Sequence, residues 1–362
     1  MKILYVTRRL NHSGYLILNQ LIKDKFDICG VLLDNKKTLF DAPILRHLAK
    51  FTYLAKCWYY RCYPLKTTES EEILAKKNKL DIIISSSIKN DSFYYKLINL
   101  NPDIIVLGGG WHELIPTRVH EYPKLGCINT HPSLLPEFRG TSITRWQVLY
   151  GVNKSGSTIH YVDENFDTGK IVGQKDYMID KDYTPQQLFY NLGVVGANLM
   201  REVLMKFKIN DLKKDVKSND YNSKYCSYFS KWKWSKDKLI IDWSKNFRTI
   251  HCFVLANTQE SYQYLGPIFS FKGKSYFLRI TSLHSKDKFI TENTCATGKD
   301  NNIYVVSIKN GTTFLYRKDE HYVLGLDQIQ PYNKFYKFIP GLNTSNLFKN
   351  HLHQKVDLFY EK

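Results

Sequence analysis

MKILYVTRRLNHSGYLILNQLIKDKFDICGVLL, residues 1 to 33, decides the fold class. Met1 to Thr7 is short, apolar and rich in β-branched residues, as a strand buried on both faces must be. Residues 14 to 25 then carry Leu16, Leu18, Leu21 and Ile22 at near-helical spacing, and Ile28 to Leu33 is a second apolar run. A strand, a helix and a strand in that order form the unit from which parallel sheets are built.

Working outward, Ile82 to Ser85 and Ile104 to Gly108 are two further buried-strand candidates, separated by a helical stretch around Tyr94 to Leu100. The first half is therefore doubly wound α/β. Between Asp34 and Lys79 the text is irregular, with an aromatic, basic patch at Lys56 to Lys66 (KCWYYRCYPLK) that reads as an insertion helix packed on the sheet edge, a stacking surface or a membrane-surface contact. Residues 184 to 206 give the cleanest helix: Thr184 can cap it, Pro185 fits its first turn, and Leu188, Leu192, Val195, Leu199 and Val203 repeat on one face.

The charged stretch Lys208 to Lys224 is the natural boundary. Beyond it a helix around Phe247 to Ala256 precedes short strand candidates at Ile268 to Phe271, Ser275 to Ile280, Ile303 to Ile308 and Thr313 to Tyr316. Gly-containing turns join them as hairpins, so a small β barrel or sheet follows. The expected division is 1 to 207, a linker at 208 to 231, a second domain at 232 to 330 and an extension at 331 to 362.

A hydrophobic fraction of 43% with 24% charged residues belongs to a folded protein, not a disordered one. Fifty-two Lys plus Arg against 34 Asp plus Glu give a net charge of +18, which favours polyanionic partners; Lys is nevertheless scattered along the chain among Asn, Ile and Tyr, as a nucleotide bias of the genome would also make it. Seven cysteines without a CxxC pair read as free thiols in a reducing compartment. With neither a signal-peptide pattern nor a bilayer-length apolar run, a soluble cytoplasmic protein is expected.

The chemistry concentrates in Cys127 to Gly140 (CINTHPSLLPEFRG) and Asp163 to Gly169 (DENFDTG). Asn129 and His131, two apart after a strand, point to the same side and can address one reacting centre at the sheet's carboxyl end. The Asn129 amide can donate to an oxyanion, His131 can take or shuttle a proton, and Asp167 can orient and stabilise the imidazole or bind a relaying water. Leu107 to Gly110 (LGGG) lacks the spaced glycines and the later acidic residue of a dinucleotide fingerprint, which sets nicotinamide binding aside.

INTHPSLLPEFRG, together with HYVDENFDTGKIVGQ at His160 to Gln174, resembles the catalytic signature of the 10-formyltetrahydrofolate-dependent formyltransferases. The resemblance runs from Met1 to about Met205. It continues faintly over Leu239 to Ile280 and Ala296 to Arg317. It implies a Rossmann-like, doubly wound, mostly parallel sheet with a smaller carboxyl-terminal OB-like β-barrel. It also implies Asn129, His131 and Asp167 as the catalytic trio, 10-formyltetrahydrofolate as co-substrate and no metal. By the same resemblance the pteridine pocket falls to GGWHELIP, Gly109 to Pro116, and to Asp163 to Phe166. Trp111, Leu114, Ile115, Asp163 and Phe166 are its candidate contacts.

Two acceptors are open: an amino sugar on a nucleotide carrier, dTDP foremost, for glycan biosynthesis, or the aminoacyl group of initiator tRNA. TSITRWQVLYG after Arg139-Gly140 resembles the sugar enzymes, where the tRNA enzymes carry a run of small residues. A nucleotide sugar needs cations and an aromatic face, for which His112, Arg139, Arg145 and Trp146 are the candidates. The second domain is left with ligand binding or homodimer contacts.

Overall fold

The structure is a computed structural model that describes residues 1–9, 11–35, 70–111, 113–209, 216–219, 226–233, 239–257, 267–288, 302–331, 342–351, 354–356 and 358. The patch at 56 to 66 and His112 lie outside the described residues.

The first half runs β1 (Lys2–Thr7), α1 (His12–Lys23), β2 (Asp27–Asp34), α2 (Glu71–Lys77), β3 (Ile82–Ser85), α3 (Asp91–Leu100), β4 (Ile104–Leu107) and β5 (Cys127–His131). A two-residue strand β6 (Arg139–Gly140), α4 (Ile143–Leu149), β7 (Lys154–Tyr161), β8 (Ile171–Met178) and the long α5 (Pro185–Lys208) follow. Seven strands form one sheet in the order β3-β2-β1-β4-β5-β7-β8. The first five are parallel, and β7 and β8 extend the sheet antiparallel. Strand β1 has β2 on one side and β4 on the other, which opens a crevice at its carboxyl end, where ligands of such sheets bind.

Both faces of the sheet are covered. Ile3, Tyr5, Ile104 and Val106 pack with Ile17, Leu21, Met200 and Val203 of α1 and α5, while Leu4, Val6, Ile105 and Leu107 pack with Phe93 and Leu97 of α3. That alternation explains the unbroken apolar text of β1 and β4. Helix α5 opens with Thr184 as its cap, as expected, and the structure adds a reciprocal capping box, the side chains of Thr184 and Gln187 each meeting the other's backbone N–H. Its Gly196 sits where a Cβ would come 2.8 Å from Thr130 Cγ2, so the glycine lets the helix lie close against β5.

After β9 (Tyr228–Phe229) and α6 (Phe247–Asn257), a second sheet contains β10 (Ile268–Phe271), β11 (Lys274–Ser285), β12 (Tyr304–Lys309), β13 (Thr312–Tyr316), β14 (Tyr322–Pro331) and β15 (Leu342–Asn343). It is antiparallel, in the order β10-β11-β14-β13-β12 with β15 beside β14. No ladder joins β10 to β12 among the described residues, so the barrel expected from the resemblance is present here as an antiparallel sheet. Lys272-Gly273 and Asn310-Gly311 have positive φ at both positions, the geometry of two-residue hairpin turns that suits the right-handed strand twist. Phe348, Val356 and Leu358 are buried in the same core as Phe269, Leu278 and Leu324.

The two halves are tied by an exchange of arginines. Arg145 of α4 donates to the Ala256 carbonyl at the end of α6, and Arg248 of α6 donates at 3.0 Å to the Gly151 carbonyl just past α4. Each helix thereby supplies a cation to the unpaired carbonyl end of the other.

Candidate active site

Asn129 and His131 close strand β5, and their cross-strand partners on β7 are His160 and Thr158. That register sets Asn129 beside His160, and Asn129 Nδ2 lies 3.2 Å from His160 Nε2. Nδ1 of His160 lies 2.8 Å from the Tyr161 carbonyl, which can only accept, so this nitrogen carries a proton and the ring is held in place beside Asn129.

The loop after His131 is held by side chains that satisfy its backbone. Gln147 donates to the Pro132 carbonyl, Thr158 to the Ser133 carbonyl and Gln174 to the Leu135 carbonyl, while Leu135 N–H donates back to Thr158. Buried loop backbone requires such partners. The loop brings the Phe138 carbonyl to 2.8 Å from His131 Nε2.

Asp167 sits in a turn at φ +57, organised by Asp163, whose Oδ1 accepts from Asn165 N–H and from the Thr168 hydroxyl. This places Asp167 Oδ1 3.4 Å from His131 Nδ1 and 3.5 Å from His160 Nε2, while Oδ2 accepts from Gly140 N–H at 3.0 Å. Three groups from distant stretches of chain thus meet.

Burial acts on both partners. It pushes the His131 imidazole below its usual value, with Asp167 and the Phe138 carbonyl pulling the other way. Burial alone would raise Asp167, but His131, His160 and Gly140 N–H outweigh it and hold the carboxyl well below the ordinary carboxylate range. Either neutral tautomer of His131 sets one nitrogen lone pair against an oxygen, so only the imidazolium satisfies both contacts. The Asp167–His131 pair is therefore a place where a proton can be taken up and released.

These groups form one wall of a cavity of about 560 Å³. Trp111, Leu114, Ile115, Asp163 and Phe166 line it too, so the structure gathers the candidate cofactor contacts around the trio. Leu114 and Phe166 keep 36% and 42% of their surface exposed and offer apolar walls, whereas Ile115 is buried. Asp163 has one carboxylate oxygen committed to its own turn.

The acceptor candidates fall differently. Arg139, Arg145 and Trp146 are not among the cavity's lining residues. Arg139 lies over the Tyr228 ring, Arg145 over the Trp232 ring as well as against Ala256, and Trp146 packs between Phe229 and Trp232. In their place the cavity is lined by Arg8 and Asn11 after β1, and by Tyr228 and Lys231 from the segment joining the sheets. Sequence reading passed over these and His160. His160 stands in the motif quoted above, and alternation with Thr158 on a strand was the signal that could have found it. Among the described residues no group of three or more His, Cys, Asp or Glu side chains could hold a metal, and no described helix is long and apolar enough to cross a membrane.

With that geometry in place, residues 61–204 match the family model for formyl transferase. Over that stretch the chain is similar to the formyltransferases. A methionyl-tRNA formyltransferase of Clostridioides difficile is 32% identical over 181 residues, 50% of this chain and 56% of that protein. Another from Bacillus cytotoxicus is 31% identical, covering 55% of this chain and 57% of its own length. The chain thus spans little more than half the length of these curated relatives. The fold is like that of an N-formyltransferase from Helicobacter canadensis, solved with folinic acid and dTDP-3-aminofucose, at a TM-score of 0.62 and 17% identity over 92% of this chain and 100% of that one. It is also like that of a sugar 3N-formyl transferase solved with dTDP and 5-N-formyl-tetrahydrofolate, at 0.59 and 20% identity over 92% and 98%.

Proposed function

We propose that this chain transfers a formyl group from 10-formyltetrahydrofolate to the amine of a nucleotide-linked amino deoxy sugar, dTDP-linked foremost, for glycan biosynthesis in the cytoplasm. The observation that carries this reading is the convergence of Asn129, His131 and Asp167 on one wall of the cavity.

In the proposed reaction the acceptor nitrogen attacks the formyl carbon, a C–N bond forms, and the formyl oxygen takes the negative charge. The Asn129 amide and the His131 imidazolium stabilise that oxygen. Collapse breaks the bond to N10, and tetrahydrofolate leaves with a proton matching the one the amine gave up, moved through His131 and Asp167. Trp111, Leu114, Ile115 and Phe166 wall the pteridine, and Arg8 and Lys231 face the acceptor's diphosphate. In the same reading, 1–207 is the catalytic domain, 208–231 the connection and 232–330 an OB-like domain. Residues 331–362 contribute Phe348, Val356 and Leu358 to that domain's core.

The overall fold, shared along nearly the whole chain with two sugar formyltransferases, supports the sugar. A second reading, formylation of methionyl-tRNA, is supported by the curated relatives and by the net charge of +18. The deciding experiment supplies 10-formyltetrahydrofolate with dTDP- and UDP-linked amino sugars in one series and charged initiator tRNA in another, following tetrahydrofolate release. Turnover with an amino sugar is expected. Turnover with tRNA alone transfers the assignment to the second reading, and none with any acceptor removes both.

A further inference from the structure

Two residues next to the reacting groups hold backbone conformations that L residues rarely adopt: Asp167 at φ +57 and Phe138 at φ +53. Such conformations persist where their surroundings over-determine them. In both cases part of what holds them is the segment between the two sheets.

Asn219 is 4% exposed, and its Nδ2 donates to the Asp167 carbonyl at 3.0 Å and to the Gly169 carbonyl at 3.2 Å. One amide group thus straddles the turn that carries the Asp167 carboxylate. The approach is fixed by Lys217, which exchanges backbone hydrogen bonds of 2.8 and 2.9 Å with Ile171 at the start of β8. Ten positions on, Ser227 repeats the arrangement. Its hydroxyl accepts from Phe138 N–H at 2.8 Å and its carbonyl accepts from Arg139 N–H at 2.8 Å. Phe138 is the residue whose carbonyl meets His131 Nε2. The short β6–β9 ladder continues the contact, and Gly140 of that ladder donates to Asp167 Oδ2.

We propose that Asn219 and Ser227 are positioning residues, through which the connecting segment sets the Asp167 carboxylate and the His131 imidazole against each other. This rests on the reading of Asn129, His131 and Asp167 as the catalytic groups. Neither residue reaches the reacting atoms; each acts on the backbone that presents a group that does. The segment is thereby part of the active site's framework as well as a tether.

Asn219→Leu keeps the volume and removes both donors, Ser227→Ala removes the hydroxyl, and Ser227→Thr restores it. In the full chain, kcat is expected to fall on the order of 10- to 100-fold in the first two variants, as displacement of a reacting group by about 1 Å does. KM for both substrates should change less than about threefold, and Ser227→Thr should recover most of the rate. The His131 ring resonances supply a readout that needs no acceptor. The titratable and charged groups around that ring are Asp167, His160 and Arg139, so in Asn219→Leu withdrawal of the Asp167 carboxylate should move the His131 midpoint to lower pH. An unchanged kcat and an unchanged midpoint in folded Asn219→Leu, or an unchanged kcat in Ser227→Ala, overturn the proposal. A wild-type chain inert toward every acceptor sinks the functional reading instead, and leaves the His131 midpoint to judge the positioning claim.

Discussion

The side-chain amide of Asn129 is aimed by its cross-strand neighbour: Nδ2 of Asn129 lies 3.2 Å from Nε2 of His160, whose other ring nitrogen is fixed on the Tyr161 carbonyl. An amide so oriented is a preorganised donor. Replacing His160 by alanine should release it and lower kcat at least about tenfold, which corresponds to about 1.4 kcal/mol of barrier. Asn129→Asp, isosteric but with no N–H to offer, should cost on the order of 100- to 1000-fold, as loss of an oxyanion donor does. Initial rates of tetrahydrofolate release, with circular dichroism to verify folding, measure both; a wild-type rate in either variant removes the donor role of Asn129.

Asp167 makes a pH prediction whose sign can be worked out. Its folded pKa is depressed, against an unfolded value near ~3.9, so the folded state binds fewer protons between the two values. The stability it contributes is fully present above the unfolded value and is lost as pH falls through the folded one. Asp167→Asn should therefore melt below wild type at neutral pH, with the gap closing below about pH 4. His131, with its pKa lowered, adds a loss of stability as pH falls below ~6.5. A gap between the two chains that is constant from neutral to strongly acidic pH would contradict this account.

Gly140 has φ +106, and a Cβ there would lie 2.1 Å from the Phe229 carbonyl oxygen. Gly140→Ala should break the β6–β9 contact and disturb the N–H that serves Asp167. A loss on the order of 3 kcal/mol in denaturant melts is expected, from the combined cost of backbone strain and overpacking. Activity should fall even in cold, fully folded samples.

Leu114 and Phe166 present apolar surface to the cavity. Burying one such side chain contributes about 1.5–3 kcal/mol, so Phe166→Ala or Leu114→Asp should raise KM for the formyl donor about tenfold or more with a smaller change in kcat. An effect confined to the acceptor's KM would place the pteridine elsewhere.

Lys231 and Arg8 test the acceptor side. Lys231→Ala should raise KM for a dTDP-linked amino sugar several-fold and flatten its dependence on ionic strength, because screening weakens charge contacts that the variant has already lost. The donor's KM should be unaffected.

Much of this was legible from the residues. Buried parallel strands leave unbroken apolar text, so β1, β2 and β4 stand out, and α5 announces itself through Thr184, Pro185 and its leucine stripe. Asn129, His131 and Asp167 stood out because two motifs carried them, and the structure brings them to one cavity wall. What was not legible depends on contacts across the sheet or between distant segments. His160 matters through its register with Asn129. Arg8, Lys231, Asn219 and Ser227 lie in stretches without periodicity, and only folding brings them to the cavity or to the loops around it. Arg145 and Trp146 carry chemistry that suits an anion and a ring, and in the structure they pack at the junction with the second sheet, a placement that depends on Ala256 and Trp232 far along the chain. Strand β14, which lies between β11 and β13, was overlooked. Its Gly325 and Asp327 interrupt the alternation, and Gly325 is there because a Cβ would strike Ser282 Oγ at 2.5 Å.

The paired guanidinium contacts, Arg145 on Ala256 and Arg248 on Gly151, act as a two-point cross-brace. A hinge between the sheets would have to surrender both at once, and both carbonyls would then lie open at helix ends.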